Sequence, residues 1–188
     1  MPDAKVYSAE DLSVGLKFSY EQEITEENIL AFAELTGDCN PLHVDAEYAK
    51  SSNYQGRIAH GAFQVGLASA MLGMHLPGKK VLLGSINSRF PAPLYFPKRI
   101  KITGEISAWN RQNLGGQLKV TIQEANSTNT TAVIFMGFTL HEDRVEQASE
   151  KVGHKSEIPV DRQAAQHDKL VLLTGASGGL GVLSLIHI

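Results

Sequence analysis

The chain has 188 residues, a length that suits one domain of ordinary size and little else. Apolar residues make up 43% of it and charged residues 20%, so the composition supports a packed core and excludes disorder as the default state. The formal net charge is −3 and Lys and Arg form no run, which argues against nucleic acid and anionic membranes as partners.

Cysteine content and the N-terminal residues indicate the cellular compartment in which the protein is expected. The single cysteine, Cys39, excludes an internal disulfide and gives no sign of secretion. The first residues, MPDAKVYSAEDL, contain no apolar core of the kind that a signal peptide needs. We therefore expect a cytoplasmic protein.

The first predicted elements are a strand and a helix. Residues 17–24, KFSYEQEI, alternate apolar and polar side chains, which predicts a strand with one solvent-exposed face. Thr25 can cap the helix that follows, and two glutamates, Glu26 and Glu27, suit the positive end of its dipole. Gly37 ends this helix because glycine readily adopts a positive φ.

The next segment contains a rigid turn and a long apolar helix. Pro41 fixes its own φ and disfavours the helical region for Asn40, which indicates a defined turn. Asp45 is the predicted cap of a short helix. Residues 61–76, GAFQVGLASAMLGMHL, carry almost no charge and predict a helix that is buried on all sides in the core.

Four strand-like segments follow the long helix and are separated by polar turns. Their approximate bounds are 81–90, 99–110, 116–127 and 130–142. The sequence PAPLYFP, residues 91–97, is predicted to be a kink or an edge, because proline cannot donate to a strand ladder. Helices first and a meander of strands afterwards predict an α+β fold in which one antiparallel sheet wraps around the buried helix.

The composition changes towards the C-terminus, and we divide the chain accordingly. Residues 1–145 form the predicted domain, residues 146–168 a polar linker, and residues 169–188 a further segment. That last segment, KLVLLTGASGGLGVLSLIHI, has the pattern of a buried strand followed by a glycine-rich turn. Its glycines and ordered loop motif argue against a membrane span, although residues 170–188 carry no Asp, Glu, Lys or Arg.

The segment 32–61 concentrates side chains suited to acid–base chemistry. Asp38 and His43 lie five positions apart in the Pro-containing turn, and Gly61 opens the long helix, where backbone N–H groups can bind an anion. Taken singly, Asp38 and His43 are more readily ordinary loop residues. His60 is more readily a structural residue that orients the turn before Gly61.

Two other uses of these residues have little support. Asp38, His43 and His60 show no recognised metal-ligand spacing, so we predict no metal site. Cys39 is disfavoured as a nucleophile because the adjacent acid opposes formation of a thiolate.

Two motifs taken together carry a family resemblance. Residues 37–45, GDCNPLHVD, and residues 58–61, IAHG, resemble the signature of the MaoC-like (R)-specific enoyl-CoA hydratases. The resemblance covers about residues 8–142 and implies a hot-dog fold, with a long central helix wrapped by an antiparallel sheet and usually a homodimer. One departure is the sequence FPKR at residues 96–99, where the family often has Gly-Asp before the strand.

The resemblance also implies a reaction and its residues. The reaction is addition of water to a trans-2-enoyl thioester of CoA or acyl carrier protein, giving an (R)-3-hydroxyacyl thioester, or the reverse dehydration, without a cofactor. By resemblance, Asp38 and His43 hold and activate the water, and Asn40 braces either the loop or the acid–imidazole pair. The backbone N–H of Gly61 is then the oxyanion donor, and Ser69 matches a family position near the acid–imidazole pair.

The C-terminal motif T-G-x-x-x-G-x-G resembles the cofactor loop of short-chain dehydrogenases/reductases, and it follows a strand as it does in that family. By that resemblance the NAD(P)-binding positions are Thr174, Gly175, Gly179 and Gly181. The Tyr-x-x-x-Lys pair of that family is absent after the motif. We therefore expect a truncated Rossmann-type start, fused to the hydratase, that binds no NAD(P)H measurably.

Two rival functions stay open at this point. A hot-dog thioesterase also uses an acid and a positioned water, and it would release free CoA. A non-catalytic acyl-binding or dimerisation module would bind acyl-CoA without turnover.

Overall fold

The structure is a computed structural model that describes residues 3–141, and its framework is one five-stranded antiparallel sheet. The strand order across the sheet is β1-β3-β4-β5-β2, so β1 and β2 form its two edges. The strands are β1 (Lys17–Ile24), β2 (Val81–Arg89), β3 (Lys98–Asn110), β4 (Gly115–Glu124) and β5 (Thr130–Leu140).

The helices lie in two stretches of the chain, between β1 and β2. They are α1 (Glu26–Thr36), α2 (Pro41–Val44), α3 (Ala46–Ser51) and α4 (Gly61–Ala70), and a π-helical turn (Met71–His75) extends α4. The predicted α+β architecture, with a sheet packed on a helix, is confirmed within the described residues.

The predicted start and end of α1 are confirmed. The Thr25 hydroxyl accepts a hydrogen bond from the Asn28 N–H, and the Asn28 side chain accepts one from the Thr25 N–H. This reciprocal capping box satisfies two N–H groups that the helix cannot pair internally. At the other end, Gly37 has a φ of 75°, and its N–H bonds to the Ala33 carbonyl.

The prediction that residues 61–76 form a helix buried on all sides is wrong in two respects. The α-helix ends at Ala70 and continues as the π-helical turn. Only one side of α4 is buried, through Gln64, Leu67 and Ala68, while Gly66 and Ser69 are exposed. The physical reason is that a single sheet has one inner face and covers only the side of the helix that packs on it.

The core lies between that side of the helix and the inner face of the sheet. Alternate residues of β3, such as Ile100 and Ile102, are fully buried, as the period of two in a half-buried strand requires. A Cβ on Gly104 would lie 2.9 Å from the Met71 side chain. A glycine at this position of β3 therefore lets the π-helical turn approach the sheet.

The segment between β2 and β3 crosses back towards α2. Residues 90–97 lie outside the strands, as the prolines predicted, and Tyr95 forms an isolated bridge with Ile58. β3 begins at Lys98, inside the sequence that departs from the family pattern.

Several predictions cannot be compared with the structure. The linker at residues 146–168 and the glycine loop with Thr174, Gly175, Gly179 and Gly181 lie outside the described residues. Within residues 3–141, no helix has both the length and the apolar character that a membrane crossing requires.

Candidate active site

His43 lies on α2, and local capping sets the position of that helix. The Asn40 side-chain oxygen accepts a hydrogen bond of 3.0 Å from the Leu42 N–H. Pro41 occupies the first helical position, where its missing N–H costs nothing and its fixed φ fits the helix. The predicted rigid turn is therefore one turn of helix, and Asn40 is its N-cap.

The hydrogen bond at one ring nitrogen fixes the tautomer of His43. Its Nδ1 lies 2.7 Å from the carbonyl oxygen of Ile58, which can only accept, so Nδ1 carries the proton. The other nitrogen, Nε2, then holds a lone pair in the neutral ring. A half-buried imidazole with a free Nε2 is equipped to accept a proton.

The segment that carries Ile58 is held in place from several sides. The Ile58 N–H bonds to the Leu42 carbonyl at 3.2 Å, and the Ala59 N–H bonds to the Leu94 carbonyl at 2.7 Å. Beside them, Arg57 pairs with Glu26 at 2.6 Å. The acceptor that orients the His43 ring is therefore part of a braced backbone.

His60 connects the two predicted catalytic residues. Its side chain is 1% exposed, and its Nε2–H donates a hydrogen bond of 2.9 Å to the backbone carbonyl of Asp38. Its ring lies against the His43 ring, with 3.8 Å between centroids, and 5.1 Å from the Phe32 ring. Within the described part of the chain, its Nδ1 is buried and unpaired.

The structure brings Asp38, His43 and His60 together at this point. One carboxylate oxygen and one nitrogen from each ring all lie within 4.8 Å of one another. Asp38 is exposed and His43 is half-buried, so the acid and the imidazole are both accessible to solvent. These three donors are also of types that bind divalent cations, although the sequence predicted no metal here.

A cavity of about 370 Å³ opens beside His43. Gly61, the first residue of α4, lines this cavity. The N-cap residue of α4 is His60, and its side chain makes no capping hydrogen bond to the helix. A Cβ at Gly61 would lie 3.1 Å from the Phe90 ring, so glycine lets this ring approach the start of the helix. The cavity is lined by His43, Tyr54, Ile58, Ala59, Gly61, Gln64, Phe90, Pro91, Ala92, Pro93 and Leu94.

Sequence reasoning missed two parts of this wall. The sequence predicts only a kink or an edge for residues 91–97, because nothing local shows that this segment returns to α2. The sequence analysis assigns no role to Gln64, although this residue is the one side-chain amide in residues 61–76 and is conspicuous in an apolar helix for that reason. Its side chain is 2% exposed and accepts a hydrogen bond of 2.8 Å from the Thr131 hydroxyl.

Five residues considered from the sequence are not among those that line this cavity, namely Asp38, Cys39, Asn40, His60 and Ser69. Ser69 is exposed on α4 and does not line it. Cys39 is also exposed, next to Asp38 in sequence. Other cavities of similar size occur, for example one of about 330 Å³ beside Tyr7 and His141, but the pairing of Asp38 with His43 identifies the candidate site.

Comparison with known proteins places this geometry in a family. The family model for the MaoC like domain matches residues 10–131. The chain belongs to this family. The MaoC-like match thus includes α1 to α4 and the whole of the candidate site, and it ends within β5.

Two curated relatives of this MaoC-like chain illustrate its similarity. It is 36% identical over 107 residues to a 3-hydroxybutyryl-CoA dehydratase of Methylorubrum extorquens, covering 57% of this chain and 68% of the relative. It is 32% identical over 101 residues to an (R)-specific enoyl-CoA hydratase of Aeromonas caviae, covering 54% of this chain and 75% of the relative.

Solved structures support the fold. The (R)-hydratase from A. caviae involved in PHA biosynthesis superposes with a TM-score of 0.66 at 25% identity, covering 70% of this chain and 99% of that one. An unliganded R-hydratase from Pseudomonas aeruginosa gives a TM-score of 0.67 at 26% identity, and the match covers 72% of this chain and 86% of that one. The predicted hot-dog fold is therefore confirmed for the described domain.

Proposed function

We propose that this chain adds water to trans-2-enoyl thioesters to give (R)-3-hydroxyacyl thioesters, and catalyses the reverse dehydration, as a hydro-lyase. The observation that carries the proposal is the meeting of the Asp38 carboxylate and the His43 ring within 4.8 Å, beside a cavity that begins at Gly61. The relatives named above as a dehydratase and a hydratase support the same reaction.

The chemistry needs a base near the water, because water is a weak nucleophile towards C3 of the enoyl group. His43 Nε2 has a free lone pair, since Nδ1–H is committed to Ile58. The Asp38 carboxylate, which accepts hydrogen bonds only, can hold the second hydrogen of the same water. Removal of one proton then lets the water oxygen form a bond to C3.

Forming the C3–O bond moves the electron pair of the C2=C3 bond towards the thioester carbonyl, giving an enolate. The N-terminus of α4 carries unpaired N–H groups and the positive end of the helix dipole, both of which stabilise negative charge. The Gly61 N–H is the proposed donor to the enolate oxygen. The imidazolium then returns its proton to C2 on the face where the water added, so addition is syn.

The reaction adds one water molecule across the C2=C3 double bond. Nothing is oxidised or reduced overall, so the proposed reaction requires no redox cofactor. The substrate class is a thioester of CoA or of acyl carrier protein. No step uses a metal, and we expect a chelator such as EDTA to leave the rate unchanged.

Substitution of the two proposed catalytic side chains tests the reaction. We expect Asp38→Asn and His43→Ala each to lower the hydration rate of crotonyl-CoA by about 10²–10⁴-fold, the usual contribution of a general acid or base. The rate is followed as loss of absorbance of the enoyl thioester. Cys39→Ser is the matched control, since Cys39 is exposed between them and has no proposed role.

Circular dichroism and thermal unfolding establish that the variants are folded. A folded Asp38→Asn or His43→Ala variant with a rate near that of wild type would refute the assignment. Release of free CoA by wild type, detected with a thiol reagent, would indicate the thioesterase instead. Acyl-CoA binding with neither reaction would indicate a non-catalytic module.

We also infer a homodimer that forms through β2, one of the two sheet edges. The exposed edge strand β1 carries charges at Lys17, Glu21 and Glu23, which discourage further strand pairing. In contrast, Arg89 is the only charged residue of β2. This strand exposes Leu82 and Ile86, at 55% and 44%, and Phe90 follows at 44%.

A second copy of this chain fits that edge, because an antiparallel pair of β2 strands would cover all three apolar side chains at once. We expect wild type to elute as a dimer and Ile86→Lys as a folded monomer, measured by size-exclusion chromatography with light scattering. Glu23→Lys on the β1 edge is the matched control and should remain dimeric. A monomeric wild type, or an Ile86→Lys dimer, would contradict this inference.

Two further proposals rest on sequence alone. The segment at residues 169–188 resembles the opening of a short-chain dehydrogenase/reductase. Such a reductase and a hydratase would share the 3-hydroxyacyl intermediate. We expect titration of this chain with NAD(P)H to show no measurable binding. A cytoplasmic location stays a proposal that fractionation of cells expressing the protein can test.

A further inference from the structure

Gln64 is a buried polar side chain that the reaction above does not use. It lies in an apolar helix, is 2% exposed, and lines the same cavity as His43 and Gly61. A buried amide is costly unless its groups are satisfied, so its presence on the core side of α4 calls for an explanation.

The two ends of this amide have different surroundings. The Thr131 hydroxyl, fully buried on β5, donates a 2.8 Å hydrogen bond to Oε1 of Gln64. Nε2 makes no hydrogen bond to residues 3–141, and it is not among the enclosed unpaired atoms of that range, which are His60 Nδ1 and Trp109 Nε1. The amide is therefore anchored at its oxygen in a residue that lines the cavity, and no hydrogen bond within residues 3–141 occupies its N–H groups.

The spacing of Gln64 along α4 places its side chain on the same side of the helix as Gly61. Residues three apart lie on the same side of an α-helix, and side chains lean towards its N-terminus. Gln64 stands three residues after Gly61 in the first turn of α4, where an α-helix leaves its backbone N–H groups without intrahelical partners. One side-chain donor and one backbone donor thus share the cavity wall beside the base.

We propose that Gln64 is a catalytic residue whose Nε2–H is a second donor, beside the Gly61 N–H, to the thioester carbonyl oxygen. This role rests on the proposed function. As the C3–O bond forms and the enolate develops, negative charge grows on that oxygen, and a prepositioned amide donor stabilises it more than it stabilises the neutral carbonyl. Thr131 is the positioning residue that holds the amide in this orientation.

Three variants separate a donor from a packing residue. Gln64→Leu keeps the approximate volume without donors, and we expect kcat for crotonyl-CoA to fall about 10²-fold, as for loss of one oxyanion donor, with a much smaller change in KM. Gln64→Glu presents a carboxylate instead of N–H groups, and its kcat should fall further than that of Gln64→Leu because the carboxylate repels the enolate. Thr131→Val keeps the shape and releases the amide, so its kcat should fall less than that of Gln64→Leu.

A spectroscopic measurement tests the same contact without turnover. A chromophoric enoyl-CoA such as 4-dimethylaminocinnamoyl-CoA absorbs at longer wavelength when its carbonyl is polarised. Bound to Asp38→Asn, it should show a red shift that is clearly smaller in Asp38→Asn/Gln64→Leu. Since no reaction is needed, this result is independent of whether wild type hydrates crotonyl-CoA.

The outcomes are distinct. A reduced red shift supports the proposal, and an unchanged red shift overturns it. A folded Gln64→Leu variant with the kcat of wild type also overturns the proposal. A Gln64→Glu variant as active as wild type does so too, because no amide donor would then be needed at this position. Failure of the chain to bind any enoyl thioester would overturn both this proposal and the proposed function.

Discussion

His60 shows how one residue supports the site without a predicted part in the reaction. It donates to the Asp38 carbonyl through Nε2, and its ring packs on His43. The donor and the ring therefore act on different partners. Because Nδ1 is buried and unpaired within the described range, replacing that nitrogen by carbon removes no hydrogen bond.

Two substitutions of His60 separate these contributions. His60→Phe keeps a ring against His43 but leaves the Asp38 carbonyl without this donor. The kcat should then fall about 10- to 100-fold, because displacing a catalytic group by about 1 Å lowers the rate on the order of 10²-fold. His60→Gln keeps a donor near the Nε2 position but loses the ring, so it should lower the midpoint of thermal unfolding more than it lowers kcat. Steady-state rates and melting curves for both variants test this; a His60→Phe enzyme with wild-type kcat would contradict it.

At the scale of elements, the site depends on how a four-residue helix is held. α2 is too short to be stable by itself, since isolated helices of this length do not persist in water. Its Asn40 cap, its first-position proline and the backbone bond from Ile58 to Leu42 supply the missing constraint. The orientation of His43 is therefore a consequence of capping and of tertiary hydrogen bonds.

Removal of a cap at α2 and at α1 gives a matched comparison. Asn40→Ala and Thr25→Ala each lose a capping bond and should each cost about 1 kcal/mol of unfolding free energy, measured by urea denaturation. Only Asn40→Ala should also lower kcat, by roughly tenfold or more, because only α2 carries His43. An equal loss of activity in both variants would show that the caps act through global stability alone.

For the molecule as a whole, the N-terminal segment ties the π-helical turn to the residues that precede β2. The Lys5 N–H bonds to the Met74 carbonyl, and the Lys79 N–H bonds to the Lys5 carbonyl. There the His75 ring packs on two aromatic rings of β1, at centroid distances of 4.9 Å from Phe18 and 4.7 Å from Tyr20. A titratable ring thus lies at the junction of the N-terminal segment, the π-helical turn and the sheet.

This junction makes stability depend on pH. Burial, and secondarily the positive charge of Lys5, lower the pKa of His75 below its usual value of 6.5. The unfolded chain therefore binds this proton more readily, and stability contributed by neutral His75 is present above pH 6.5 and is lost as pH falls towards the lowered pKa. The midpoint of thermal unfolding should drop between pH 7.5 and 5.5, and drop less in His75→Phe, which keeps a ring and cannot titrate; an equal drop would contradict this.

The local elements and the chemistry of the turn could be predicted from the order of the residues. Capping residues such as Thr25 and Gly37, the alternation in strands such as β1 and β3, and the short separation of Asp38 from His43 are properties of neighbouring residues, so they can be read without a fold. The motifs at residues 37–45 and 58–61 were sufficient to indicate the family for the same reason.

Three features of the site and of α4 depend on long-range contacts and could not be predicted from the sequence. Which side of α4 is buried depends on the single sheet that packs on it, which composition cannot show. The cavity wall at residues 90–94 meets His43 only because the chain returns across the fold after β2. The anchored amide of Gln64 depends on Thr131, which is 67 positions away in sequence. Contacts between residues distant in sequence have no local signature, so the surroundings of the acid and the imidazole became visible only in the folded chain.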